Sequence, residues 1–169
     1  MQTRRTLMTQ ALAASAASAA LASAAQAAEA CVPKSKVITR DRFDKYVALY
    51  NAADPTFIQF YNDDVVMETV PPLTSATEIQ RFRRELGAYV IETIHVEYYV
   101  SDENGAAAQF LGEFRCIRDM PLTAMSGLFG KAVKKGQVLK QRGAILYGVA
   151  NGKFKFIRAF PPIILQDWA

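Results

Sequence analysis

An α+β fold, in which about three N-terminal helices pack on one face of a mainly antiparallel sheet, is predicted by three features of this sequence. Apolar residues recur at helical spacing between residues 39 and 87, and alternating, β-branched segments fill residues 93 to 160. Asn-Gly pairs stand where the second half must reverse, at Asn104-Gly105 and Asn151-Gly152. The length of 169 residues, 51% of them hydrophobic, suits one domain with a core of its own.

Each element has a local reason. Phe43, Tyr46, Val47 and Tyr50 follow the i, i+3, i+4, i+7 pattern of one helical face, with Thr39 or Asp41 placed to cap its start. Asn51-Ala52-Ala53-Asp54-Pro55 breaks that helix; Asp54 can cap and Pro55 suits the first turn of a second, short helix carrying Phe57, Ile58 and Tyr61. Val65 to Val70 reads as a strand that ends at Pro71-Pro72, which cannot donate ladder hydrogen bonds. A third helix starts near Ser75 or Thr77, with Ile79, Phe82 and Leu86 on one side and Gln80, Arg81, Arg83, Arg84 and Glu85 on the other. Strands are expected over residues 93–101, 106–118, 138–149 and 153–160, forming a meander. Residues 119 to 136 interrupt the two middle strands. Their glycine-punctuated apolar sequence suits a lid, an oligomer contact or a short extra helix packed on the core.

Residues 1 to 27 read as an export signal: Arg4-Arg5, an Ala-rich apolar run and an Ala-Gln-Ala ending. Thr3-Arg4-Arg5-Thr6-Leu7-Met8 resembles a twin-arginine signal, which implies a periplasmic protein; an Ala-rich tail is the alternative. The run is too weakly hydrophobic, and too soon followed by Glu29, for stable membrane insertion. The expected organisation is then signal 1–27, linker 28–37, domain 38–161 and C-terminal tail 162–169. Without Arg4 and Arg5, 18 basic residues face 16 acidic ones, a balance that gives nucleic-acid binding little support. Cys31 and Cys116 could form a disulfide in an oxidising compartment, or Cys116 could be a free buried thiol.

The run Tyr61-x-Asp63-Asp64-Val65, the helix opening at Glu78-Ile79 and the closing Asn151-Gly152-Lys153-Phe154 hairpin with Ile157-Arg158 resemble the SnoaL-like, nuclear transport factor 2-like superfamily over residues 38 to 161. The resemblance implies a cone closed by a strongly curved sheet, with an apolar pocket, often dimeric through the outer sheet face. The superfamily includes isomerases, cyclases, epoxide hydrolases, lyases and ligand binders, so fold alone selects no reaction. Set against the ketosteroid isomerase pattern, Tyr46 takes the place of the oxyanion-hole Tyr, but Thr69 stands at the catalytic base and Ala144 near the second oxyanion donor. Glu68 beside Thr69 should point to the opposite face. A neutral Thr cannot abstract a proton from carbon, which argues against that isomerase.

The resemblance and the residues together imply a cofactor-independent isomerase, cyclase or lyase acting on a small hydrophobic or aromatic molecule, with a non-catalytic periplasmic ligand binder or accessory protein as the alternative. The candidate catalytic residues are Tyr46, Arg142, His95 and Asp63. On the count back from Asn151-Gly152, Arg142 shares a face with Ala144 and Leu146 and would aim into the cone, or else snorkel to its rim. His95, the single histidine, alternates onto one face with Glu97 and Tyr99 and is the one imidazole available for proton transfer. Asp63 and Asp64 read as paired carboxylates or as caps at a helix-to-strand junction. Tyr50, Tyr61, Thr69, Phe82, Leu146 and Ile157 are the expected ligand-binding residues. One histidine without recognisable ligand spacing implies no metal, and no cofactor motif is visible.

Overall fold

The computed structural model describes residues 36–169, so the export signal and Cys31 lie outside the described residues. The elements run α1 (Arg40–Asn51), a 3-10 turn (Pro55–Phe60), β1 (Tyr61–Met67), α2 (Ala76–Gly87), β2 (Val90–Ser101), β3 (Gly105–Cys116), a second 3-10 turn (Ala124–Gly127), β4 (Val138–Ala150), β5 (Lys153–Ala159) and β6 (Ile163–Gln166). The sheet order is β1-β5-β4-β3-β2. The ladders β2–β3, β3–β4 and β4–β5 are antiparallel and β1 joins β5 in parallel, so the sheet is mixed.

Side-chain oxygens cap both helices and the first 3-10 turn. The Thr39 hydroxyl accepts from Arg42 N, and Asp54 Oδ1 accepts from both the amide and the hydroxyl of Thr56. At α2 the Ser75 hydroxyl accepts from Glu78 N while the Glu78 carboxylate accepts from Thr74 N, so orphan donors at the helix start are satisfied from both directions. Asn151 and Gly152 have φ of 54° and 68°, the left-handed pair that a two-residue hairpin needs.

Strand β1 starts at Tyr61, four residues before the sequence places it. Its partner explains this: Tyr61 pairs with Phe154 and Met67 with Ile157, while the register shifts between Tyr61 and Val66. Asp63 and Asp64 fall in that irregular stretch rather than at a helix-to-strand junction. Asn62 holds the same stretch by donating to the Ala150 and Lys153 carbonyls. Parallel pairing is a long-range event that local propensity does not encode.

Two apolar clusters fill the concave side. The first gathers Phe43, Tyr46, Phe57, Phe60, Tyr61, Tyr147 and Phe154 under α1. The second gathers Leu86, Val90, Phe114, Cys116, Met120, Val133, Leu139 and Trp168 at the other end. Trp168 lies in the expected tail, yet residues 162–169 supply both β6, which pairs with β4 across Lys140 to Arg142, and this buried indole. The 119–136 insertion also closes onto the second cluster. Met120 and Val133 bridge each other, and the Phe129 ring stacks edge-on against Trp168 at 5.0 Å. Of the readings open for the insertion, packing on the core describes this part, through a 3-10 turn.

Candidate functional site

Alternation along β3 and β4 decides which side chains see the cone. Leu139, Gly143, Tyr147 and Val149 are buried on β4, as are Ala106, Ala108, Phe110, Gly112 and Phe114 on β3. Arg142, Ala144 and Leu146 do share a face, as their spacing requires, but it is the outer one. Arg142 makes a two-pronged pair with Glu97, from Nε at 2.9 Å and Nη2 at 3.1 Å, rather than pointing inward. Leu146 is 40% exposed there, which removes it from the cone lining.

His95 is also exposed on the outer face, and Asp63 is exposed on β1. A register shift between Val96 and Tyr98 adds a further correction. It reverses the alternation, so Tyr99 turns inward, donating to the Ile38 carbonyl and stacking on Phe43 at 4.2 Å, while Tyr98 is 70% exposed. His95 and Glu97 therefore do not share the cone with Tyr46, and Arg142, His95 and Asp63 do not converge on it.

The remaining predicted residues lie on the inner side or at its mouth. Tyr46 is buried, with its hydroxyl 2.9 Å from that of Tyr61, the first residue of β1. Burial, then the neighbouring Tyr61, pushes the Tyr46 phenol well above its ordinary 10.0, and burial does the same at Tyr61. Both stay protonated across the physiological range, so they can donate a hydrogen bond but not abstract a proton. Ile157 is 3% exposed and belongs to the first apolar cluster.

Arg83, expected on the polar side of its helix but buried with Ile79 and Leu86, and Glu92, which is not among the expected site residues, join Tyr50 in a buried polar group. Its hydroxyl donates to Glu92 Oε2 at 2.8 Å. Arg83 Nη1 lies 3.8 Å from the same oxygen, Nη2 donates to the Glu92 carbonyl at 3.3 Å, and the guanidinium covers the Tyr50 ring at 4.5 Å. Arg83 and Glu92 are 6% and 9% exposed. Burial raises the Glu92 carboxyl above its ordinary value, against the opposing pull of Arg83 and of the Tyr50 hydrogen bond. The signal was legible: Arg83 follows Ile79 by four residues and precedes Leu86 by three, and Glu92 alternates with Val90 and Ile94.

Thr69 and Phe82 meet in a half-open pocket of about 490 Å³, lined also by Val70, Pro71, Leu73, Glu85, Met125 and Leu128. The β1–α2 turn supplies one wall, α2 a second and the insertion a third. The Thr69 hydroxyl is spent on the Pro71 carbonyl at 2.6 Å, so the pocket presents mainly apolar groups, with Glu85 its titratable residue. Among the described residues no group of His, Cys, Asp and Glu could hold a metal ion, and no helix is long and apolar enough to cross a membrane.

Helices and a 3-10 turn against a six-stranded curved sheet give the chain the SnoaL-like, nuclear transport factor 2-like fold. Similar solved structures include a candidate polyketide cyclase from Pseudomonas putida, 17% identical over 70% of this chain and 87% of that one, with a TM-score of 0.57. A SnoaL-like polyketide cyclase from Agrobacterium tumefaciens is 16% identical over 70% and 86%, TM-score 0.53. An epoxide hydrolase from M. tuberculosis is 11% identical over 69% and 77%, TM-score 0.52. No protein-family model and no curated protein matches the sequence. At these identities the likeness concerns architecture, and the differing names of the neighbours illustrate how little of the chemistry it carries.

Proposed function

We propose that this SnoaL-like domain binds a small apolar molecule at the mouth of its cone, in the pocket between Thr69, Leu73, Phe82, Met125 and Leu128. The observation that carries the reading is the separation of groups: the pocket is mainly apolar, while Arg142, His95 and Asp63 lie on the outer face or exposed on β1. A mostly apolar recess of this size suits a ligand of a few rings, held by area rather than by charge. A non-catalytic binder or accessory protein is therefore the first reading.

Cofactor-free isomerase or cyclase chemistry is the second, and one specific feature favours it. Glu92 is a buried acid of raised proton affinity, with a phenol donor at 2.8 Å and a guanidinium behind it, a combination of the kind that proton-transfer sites use.

Titration of the protein with 1-anilinonaphthalene-8-sulfonate tests the pocket. We expect saturable fluorescence enhancement that Leu128→Arg, a substitution at an exposed position, weakens by about tenfold or more. Enhancement unchanged by that variant would place the dye elsewhere and sink the assignment. Turnover of any displacing compound that is abolished by Glu92→Gln would select the second reading.

We also propose a homodimer formed through the outer sheet face. Tyr98, Val100, Leu146, Phe160 and Ile163 are 40–70% exposed, and several line a shallow apolar hollow of about 220 Å³. Sedimentation equilibrium should give twice the chain mass for the wild type and the single-chain mass for Val100→Glu. A monomeric wild type at micromolar concentration would overturn the proposal.

A further inference from the structure

Phe82 and Glu85 stand three residues apart on α2, so their side chains are neighbours on one helical face, and both line the apolar pocket. The rest of that lining is Thr69, Val70, Pro71, Leu73, Met125 and Leu128, none of which carries a charge. Glu85 therefore gives the pocket its single formal charge, and the charge is negative.

Among the described residues nothing answers it. The Glu85 side chain is exposed and makes no ion pair or hydrogen bond. Arg84, the basic residue of the same turn, lines a separate recess with Ala53 and Pro55. Glu85 also stands in the last turn of α2, where the helix end already carries about half a negative charge, so local helix physics disfavours an acid at this position. A cation held in the pocket would answer both charges.

The remaining walls suit the body of such a ligand. Phe82 is half-buried and packs on no other aromatic ring among the described residues, and an aromatic face attracts an ammonium placed over it. Leu73, Met125 and Leu128 offer apolar area, and the Thr69 hydroxyl is committed to the Pro71 carbonyl, so it does not compete with the carboxylate. Area supplies the affinity here, and the single charge supplies the choice.

On the reading that this pocket is the ligand site, we propose that its ligand is a protonated organic monoamine. The ammonium pairs with the Glu85 carboxylate at the rim and lies against the Phe82 ring, while the apolar body rests on Leu73, Met125 and Leu128. An acid of the same shape meets Glu85 as a like charge and is disfavoured. The anionic dye enters the same pocket with its sulfonate turned to solvent, away from Glu85.

The probe is 1-naphthylmethylammonium chloride, with 1-naphthalenemethanol as its neutral counterpart, titrated near neutral pH into the full chain labelled with 13C-methyl methionine. The expected result is a saturable shift of the Met125 methyl resonance, identified by its loss in Met125→Leu, with the alcohol bound about tenfold more weakly than the amine. Glu85→Gln, at an exposed position, should weaken the amine about three- to fivefold and leave the alcohol and the anionic dye bound at least as tightly as before. Amine and alcohol bound equally, a Met125 methyl unmoved by the amine up to about 10 mM, or an amine affinity unchanged in Glu85→Gln would overturn the monoamine, even where dye enhancement sensitive to Leu128→Arg upheld the pocket. Dye enhancement insensitive to Leu128→Arg, together with a Met125 methyl that neither compound moves, would overturn the pocket and the monoamine alike.

Discussion

Replacing Phe154 with alanine is expected to lower the free energy of unfolding by about 3–5 kcal/mol, as large-to-small substitutions of a buried ring do. Phe154 is fully buried at the start of β5, and its ring centroid lies 4.5 Å from that of Tyr147, 5.1 Å from Tyr46, 6.0 Å from Tyr61 and 6.3 Å from Phe43. Those rings come from α1, β1 and β4, so deleting one side chain opens a void that three other elements border. Their side chains cannot all move in to fill it, because Tyr46 and Tyr61 are tied to each other through their hydroxyls. Urea unfolding followed by far-ultraviolet circular dichroism measures the change. A loss below about 1.5 kcal/mol would mean that the cone collapses around the gap and that the aromatic hub is not what holds it.

Arg83→Met should be the second large effect, and its size should depend on pH. Removing one partner of a buried ion pair typically costs about 3–5 kcal/mol, because the other charge stays uncompensated. Here the other partner is Glu92, whose proton affinity is already raised by burial. A carboxyl raised in the folded state holds its proton at pH values where the unfolded chain has released it. Its contribution to stability is therefore greatest below the ordinary value of 4.5 and falls as pH rises through the folded value. Arg83 opposes that rise, so its loss pushes the folded value higher still. The deficit of Arg83→Met against the wild type is then smallest at acid pH, where Glu92 can stay neutral and hydrogen-bonded to Tyr50, and grows as pH rises into the alkaline range. Denaturant unfolding of both proteins from acid to alkaline pH checks it. A deficit independent of pH would show that Arg83 acts through packing on Tyr50 rather than through its charge on Glu92.

Glu92 and Arg83 also show what kind of information the sequence held in plain view. Arg83 completes the stripe of Ile79 and Leu86, yet its charge assigns it to the solvent side by habit. Only the presence of an acid across the interface, forty-two residues beyond Tyr50 and nine beyond Arg83, makes an inward guanidinium tolerable. On β4 the grouping of Arg142 with Ala144 and Leu146 follows from the two-residue period, whereas the side that faces the helices does not. The apolar alternates Leu139, Ile145, Tyr147 and Val149 were the better indication, and Gln141 and Gly143 break their run. At that glycine a Cβ would come within 2.7 Å of the Phe110 ring, so the cross-strand aromatic occupies the space that a side chain would have filled.

The sequence by itself determined the local units of this protein. Helix starts at Thr39 and Ser75, the Asp54-Pro55 turn and the Asn151-Gly152 hairpin all rest on interactions within a few residues. The tertiary structure decided what those units face. The parallel partner moved β1 forward to Tyr61, the shift beyond Val96 turned Tyr98 outward and Tyr99 inward, and the choice of which sheet face the helices cover left Arg142 and His95 outside the cone. Helix and strand follow from backbone geometry and side-chain period, which neighbours in sequence carry. Facing depends on which distant surface excludes the water, and that is settled when α1 and α2 close over one side of the sheet.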